Sequence, residues 1–243
     1  MNILNVRNRI DDNLLCNEEA LKSLGGILRN RNKENFQEYL SIIIKKILSV
    51  FKDHSILSEE SRPRKGGSPF KWVIDPLDGT TNFVHSFPFF CVSIGLEKEG
   101  KVLLGVVYDP IHDHLFHAQT GQGAFFNGAL LHIARREEMI GNLVAFDWAQ
   151  GREYQEKLLH ILNTVEQGVS VRALGSTALG MCYVAAGWLD VFFHICVLPW
   201  DAAAAAVIVR EAGGQVVDFG GQPWVLSSPQ LLVASKEVIS KWI

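Results

Sequence analysis

The 243-residue chain has only four cysteines, and no two of them form a CxxC pair. Cys16, Cys91, Cys182 and Cys196 are too scattered for a thiolate zinc site or a disulfide framework. Cys91 and Cys182 fall in apolar runs, where a thiol behaves as a small buried hydrophobe. An excess of basic charge is also lacking. Lys and Arg number 23 against 26 Asp and Glu, for a net charge of −3. That excludes a polybasic arm and argues against nucleic acid as a partner. The longest basic cluster, Arg62-Pro63-Arg64-Lys65, is short and lies in a Gly/Pro stretch read as a solvated loop over 61–69. At most it attracts an anionic substrate. No apolar run approaches the roughly 18 residues of a membrane span. Met1 to Asn13 carries charges of both signs and no long apolar core, so no signal peptide, no membrane and a reducing, cytoplasmic setting are expected. Neither GxGxxG nor GxxxxGK[ST] occurs, which argues against dinucleotide binding and against a kinase.

What is present is ordinary in bulk: 48% hydrophobic and 20% charged residues, as in a globular protein. No repeat, low-complexity segment or Pro/Ser linker divides the chain. One domain over 1–243 is expected, with halves of about 1–140 and 141–243. A helix is expected over Leu14 to about Leu28, weakened by Gly25-Gly26. A stronger one covers 33–52, where Phe36, Tyr39, Leu40, Ile43, Ile44, Ile47, Leu48 and Phe51 keep the spacing of one buried face and Asn32 is the N-cap. Strands are expected at 55–58, up to Asp75, at 89–98 and 101–109 around a Glu99-Gly100 hairpin turn, at 115–118 and 124–126, at 143–147, 169–174 and 189–194, and at 216–217 and 231–234. Helices fit 152–166, 175–186 and the alanine-rich run from Asp201 to Gly213-Gly214. Strands and helices interleave throughout, so the fold class is α+β with two sheet regions.

The chemistry concentrates in residues 72–84, WVIDPLDGTTNFV. Trp72, Val73 and Ile74 read as the end of a buried strand. Asp75 and Asp78 follow, with Pro76 stiffening the turn between them. Two carboxylates held together repel each other unless a divalent cation sits between them. Gly79-Thr80 adds a glycine turn opening a helix, whose backbone N–H groups suit an anion such as phosphate. Two further acids stand at element ends. Glu59 follows a strand, and Asp201 follows Pro199-Trp200 at a helix start, where it also serves as a cap. An all-oxygen, acid-rich set suits a hard cation such as Mg²⁺, and two such ions about 4 Å apart can bind attacking and leaving oxygens of an in-line displacement. The combination points to phosphoryl transfer to water. His112-Asp113-His114 has the look of a metal cluster but reads as a hairpin surface turn. His85 reads as a structural histidine near the site, and Trp200 as packing that holds Asp201.

These residues resemble the inositol monophosphatase family of Mg²⁺-dependent, lithium-sensitive phosphatases. The matching pieces are Glu59-Glu60-Ser61, WVIDPLDGTTNFVHSFP (72–88) and PWDAAAAAVIVREAGG (199–214). Between them GVVYDP (105–110), GQGAFFNG (121–128) and LGSTALGMCYVAAGWLD (174–190) are similar in order and spacing. The resemblance implies a layered α/β/α/β/α sandwich of the sugar-phosphatase type, commonly a homodimer, with two or three Mg²⁺ ions. It implies that Glu59 and Asp75 share one metal with the carbonyl of Leu77. Asp75, Asp78 and Asp201 hold the second. Thr80 orients the attacking water, the Gly79 and Thr80 N–H groups bind phosphate, and Asp78, the Gly175-Ser176-Thr177 turn and Asp201 face the alcohol of the substrate. That substrate is inositol 1-phosphate or a related small phosphorylated polyol. Histidinol phosphate, fructose 1,6-bisphosphate and nucleotide 3′-phosphates fall within the same chemistry. Some bacterial relatives act on transcription or ribosome assembly by protein contact, which leaves a weakly active, protein-binding regulator as the alternative.

Two positions depart from the family pattern. A Val-Thr-x-x-Asp segment usually precedes the helix before Glu59, and here Asn32 to Phe36 occupies that place with Phe36 where the acid belongs. Thr80 then lacks its supporting acid unless Glu34 or Asn35 takes the role. His194 stands where the family often has a glutamate that binds an inositol hydroxyl; histidine can also bond a hydroxyl.

Overall fold

Alternation along β3 (Phe70–Asp78) sorts the larger sheet into two faces. Phe70, Trp72 and Ile74 pack with Leu40, Ile43 and Ile47 of helix α1 (Asn35–Val50). Val73 and Asp75 point to the opposite face. The computed structural model describes residues 35–133, 143–148, 151–164 and 169–242. The helix expected over 14–28, the Asn32 cap, Cys16 and the side chains of Glu34, Asn35 and Phe36 lie outside the described residues.

The larger sheet has eight strands in the order β2-β1-β3-β4-β5-β6-β7-β8. They are β1 (Ser55–Ser58), β2 (Ser61–Arg64), β3, β4 (Cys91–Lys98), β5 (Lys101–Asp109), β6 (His114–Gln119), β7 (Ala124–Phe126) and β8 (Ala129–Leu131). Only β1 and β3 pair in parallel; the others form antiparallel ladders. The smaller sheet runs β10-β9-β11-β13-β12. Here β9 (Leu143–Phe146) pairs in parallel with both β10 (Ser170–Ala173) and β11 (Val191–His194), while β12 (Gln215–Val217) and β13 (Leu231–Ala234) are antiparallel.

Helices α4 (Thr177–Ala185) and α5 (Pro199–Glu211) fill the layer between the sheets, and residues from both sheets share one core with them. Helices α3 (Arg152–Thr164) and α6 (Lys236–Trp242) cover the far face of the smaller sheet, where Leu158 and Ile239 pack with Val144, Val191 and Phe193. The order α1, sheet, α4/α5, sheet, α3/α6 is the α/β/α/β/α sandwich. Its middle layer explains the alanine run: Ala202 to Ala206 are all 0% exposed, so this stretch of α5 has no solvent face and only small side chains let both sheets close on it. No helix among the described residues is long and apolar enough to cross a membrane.

Three expectations need correction. The 61–69 stretch is not wholly a loop. Ser61–Arg64 forms edge strand β2, and the Arg64 guanidinium donates to the carbonyls of His54 and Lys52, at 2.7 and 2.9 Å, instead of waving free. An edge strand tolerates Pro63 because its missing N–H can face water. Strand β3 does not stop at Asp75 but continues through Pro76 to Asp78. The chain closes with helix α6 after β13, where only a strand had been expected.

Candidate active site

Residues three apart on a regular strand point to opposite faces. Asp75 and Asp78 escape this because β3 bulges between them: Asp75 lies opposite Ser93 and Asp78 opposite Cys91, so three residues of β3 face two of β4. Both carboxylates therefore point to the inner face, toward α4 and α5. Glu59 follows β1, whose Ser58 pairs with Ile74, so it leaves the sheet at the same end as Asp75. In the smaller sheet the parallel strands β9, β10 and β11 lead at their C-terminal ends to Asp147, to Gly175-Ser176-Thr177 and to His194. Ligand sites in α/β proteins commonly gather at such carboxyl ends.

Hydrogen bonds join the two sets. Asp78 Oδ2 accepts from the Ser176 hydroxyl at 2.6 Å and the Ala178 N–H at 2.7 Å, and Oδ1 from the Thr177 N–H at 3.3 Å. Asp78 thus does what the N-cap side chain usually does, and its negative charge meets the positive end of α4. Thr177 Oγ1 donates to Asp147 Oδ2 at 3.0 Å and lies 3.1 Å from His194 Nδ1. Asp75 Oδ1 accepts the Leu77 N–H at 2.8 Å, and the Leu77 carbonyl accepts from Thr80 Oγ1 at 3.2 Å. Asp201, in the first turn of α5, accepts the Leu198 N–H at 2.8 Å and so caps the helix as well. The Trp200 carbonyl accepts from Ser93 Oγ at 3.3 Å, which ties this helix start to β4 beside Asp75.

Gly79 has φ 97°, and a Cβ there would lie 3.0 Å from the carbonyl oxygens of both Gly175 and Phe89. Only glycine fits this turn into α2 (Thr80–Val84). Asn82 in α2 donates to the carbonyls of Phe89 and Leu174, both at 2.7 Å, and clamps the turn to the segment entering α4.

The electrostatics follow from crowding acids in a buried place. Burial, then the charges of Asp78, Glu59 and Asp201, push Asp75 well above the ordinary carboxylate range. Burial pushes Asp78 up to about 7; the Ser176 hydrogen bond opposes this and the charge of Asp147 adds to it. Burial and then Asp78 push Asp201 up to about 8. Glu59 is raised by burial and by Glu60, with a hydrogen bond to Asp75 opposing. Four carboxylates from three separated segments are therefore close enough to repel one another, and Asp78 Oδ2 also accepts from the Cys91 thiol at 3.7 Å. Such an all-oxygen set fits a hard divalent cation. Burial holds His194 below the ordinary histidine range, so its ring favours the neutral form, one nitrogen donating and the other accepting.

Asp147 escaped the sequence reading although it carries the same signal as Glu59, an acid at a strand end. Asn82 lies inside the 72–84 motif, but its clamping role gave no signal, since its partner Leu174 lies in a distant segment. His85, expected as a structural histidine, is exposed.

A family model described as the inositol monophosphatase family matches residues 33–243. The chain is 38% identical to the Nus factor SuhB of Pasteurella multocida (strain Pm70), over 92% of this chain and 84% of that one. It is 39% identical to inositol monophosphatase 2 of Solanum lycopersicum, over 83% of this chain and 80% of that one. The solved structure of an inositol monophosphatase from Anabaena (Nostoc) sp. PCC 7120 matches with a TM-score of 0.82 at 32% identity, covering 90% of this chain and 89% of that one. The chain belongs to the inositol monophosphatase family, whose members are phosphoric monoester hydrolases.

Proposed function

We propose that the protein hydrolyses inositol 1-phosphate or a related small phosphorylated polyol, using Mg²⁺. What supports this is the placement of Glu59, Asp75, Asp78 and Asp201, which the β3 bulge, the end of β1 and the caps of α4 and α5 bring to one end of the inner layer. Glu59, Asp75, Asp78, Asp201 and the Leu77 carbonyl would hold two or three ions. When bound, these ions supply positive charge to the phosphate oxygens and lower the pKa of the attacking water.

The chain's own groups do the rest. The Gly79 and Thr80 N–H groups bind phosphate oxygens at the glycine turn. Thr80 Oγ1 donates its proton to the Leu77 carbonyl, so toward the attacking water it acts as an acceptor. Asp78 and Asp201 serve twice, as ligands and as caps of α4 and α5, which holds their carboxylates in place before substrate arrives. Ser176, Thr177, His194 and Asp147 form a hydroxyl-recognising set on the alcohol side. His194 stands in for the glutamate of relatives: with the Thr177 proton given to Asp147, the neutral ring donates its Nδ1–H to Thr177 Oγ1, which leaves Nε2 to accept from a substrate hydroxyl. Homodimeric assembly in the cytoplasm is part of the same reading.

A panel of inositol 1-phosphate, histidinol phosphate, fructose 1,6-bisphosphate and nucleotide 3′-phosphates, assayed for phosphate release with Mg²⁺, tests it. Turnover of the inositol ester above the others supports the reading, and no release from any of them overturns it.

A second reading is favoured by the 38% identity to a protein named Nus factor SuhB. In it the chain keeps the fold as a protein-binding regulator with weak turnover. Pull-down from cells with wild type and Asp78→Asn separates the two. Partners retained by the variant support binding independent of catalysis.

A further inference from the structure

A second group of ligating atoms lies at the β5–β6 hairpin corner, outside the acid cluster. Asp109 ends β5 and pairs directly with His114, the first residue of β6, so both side chains share the inner face of the sheet. His112 sits in the turn between them. Ligand atoms of Asp109, His112 and His114 all lie within 4.8 Å of one another. The sequence reading grouped His112 with Asp113 and His114, but the Asp113 carboxylate accepts from the Tyr108 hydroxyl at 2.8 Å, and Asp109 completes the group instead.

The geometry is held from the backbone. Asp109 Oδ1 accepts the N–H groups of Ile111 at 2.8 Å and His112 at 3.2 Å, which leaves Oδ2 to His112 Nδ1 at 2.7 Å. Asp113 takes a positive φ of 57° to bring the chain back into β6. His114 Nδ1 is buried and has no hydrogen-bond partner among the described residues. Its ring is walled by Phe116, Phe126 and Trp188, with centroids at 6.3, 5.1 and 5.3 Å. A buried polar nitrogen with no partner is destabilising and calls for a ligand. Here the nitrogen sits beside a second imidazole and a carboxylate, inside an apolar wall.

We propose that Asp109, His112 and His114 bind one borderline transition-metal dication of the Zn²⁺ kind. Two imidazoles and a carboxylate make the mixed nitrogen and oxygen set that suits Zn²⁺, and that Mg²⁺, served by the all-oxygen cluster, does not prefer. The two sites are distinct. Asp78 faces Cys91 on β4, and Asp109 stands just past the Val92–Tyr108 pair on β5, two strand spacings or roughly 10 Å away. The ion would replace the hydrogen bond between Asp109 and His112, satisfy His114 Nδ1, and fasten the hairpin corner against Trp188 beyond α4.

The test uses the metal-free full chain with excess Mg²⁺ to fill the oxygen site. It is titrated with Co²⁺, read by its visible absorption, and with Zn²⁺, read by calorimetry and by thermal melting. Wild type, Asp201→Asn, His112→Gln and His114→Phe are compared; phenylalanine suits the aromatic wall, and the His112 side chain is 42% exposed and tolerates exchange. The expected result is one equivalent bound by wild type and by Asp201→Asn, with a rise in melting temperature. Binding is at least about tenfold weaker in both histidine variants, while their Mg²⁺-dependent phosphate release is unchanged. The proposal is overturned if wild type takes up no Co²⁺ or Zn²⁺ beside Mg²⁺, if both histidine variants bind like wild type, or if Asp201→Asn alone abolishes uptake. None of these outcomes depends on which phosphate ester is the substrate.

Discussion

Gly95 and Gly105 face each other directly across β4 and β5, and helix α5 lies against the gap they leave. A Cβ on Gly105 would stand 2.1 Å from the Ala204 carbonyl oxygen, and one on Gly95 would stand 3.1 Å from the Ala203 Cβ. The pair sets how closely the helix that carries Asp201 approaches the strands that carry Asp75 and Asp78. Gly105→Ala is expected to cost at least about 1–3 kcal/mol by overpacking against backbone. Chemical denaturation measures it, and an unchanged midpoint would contradict the close approach.

Asp78→Asn and Asp201→Asn are each expected to cut Mg²⁺-dependent turnover by about a hundredfold or more, since a metal ligand loses its charge. The fold should survive, because an asparagine carbonyl can still accept the Ala178 or Leu198 N–H. Circular dichroism checks the fold and phosphate release the rate. Near-normal rates would refute the assigned ligands.

Without metal, stability should fall as pH rises. An acid whose pKa is higher in the fold than in the unfolded chain binds its proton more tightly when folded. The associated stability is fully present below the ordinary value of 3.8 and is lost as pH climbs through the folded values, about 7 for Asp78 and about 8 for Asp201. Melting in a chelator between pH 5 and pH 9 should show a decline of about 2–4 °C for each kcal/mol of repulsion. Saturating Mg²⁺ should flatten it. A chelated protein equally stable at both ends would mean the acids are not crowded as described.

Asn82→Ala removes two donors that join α2 to the segment entering α4. Each partner carbonyl left dry costs about 1–3 kcal/mol. Turnover should drop as well, because the Gly79-Thr80 turn loses its clamp. A variant as stable and as active as wild type would argue that the turn is held elsewhere.

Lithium salts are expected to inhibit phosphate release, as the resemblance to lithium-sensitive phosphatases implies, and insensitivity would mark a remodelled metal site.

Much of the candidate site was legible because it is written in short, local patterns. Asp75, Asp78, Gly79 and Thr80 are neighbours in sequence, so their strand-end and turn chemistry can be read without a fold. The same holds for Asp201 after Pro199-Trp200 and for the long apolar face of α1. What stayed hidden depended on distant pairings. Alternation alone would have set Asp75 and Asp78 on opposite faces, and only the ladder to Ser93 and Cys91 exposes the bulge that unites them. Asp147 becomes a candidate only when Thr177 reaches it across the smaller sheet. Residues 61–64 look like a loop until β1 offers them an edge.

The sequence alone therefore determined which chemical groups this protein has and the local turns that present them, since dihedral preferences and carboxylate chemistry act over a few residues. Which groups share a face, that Asp78 caps α4, and that Asp109 rather than Asp113 joins the two histidines, were decided by tertiary structure. Register, strand order and helix placement answer to contacts between segments tens of residues apart, and those contacts exist only once the layers have packed.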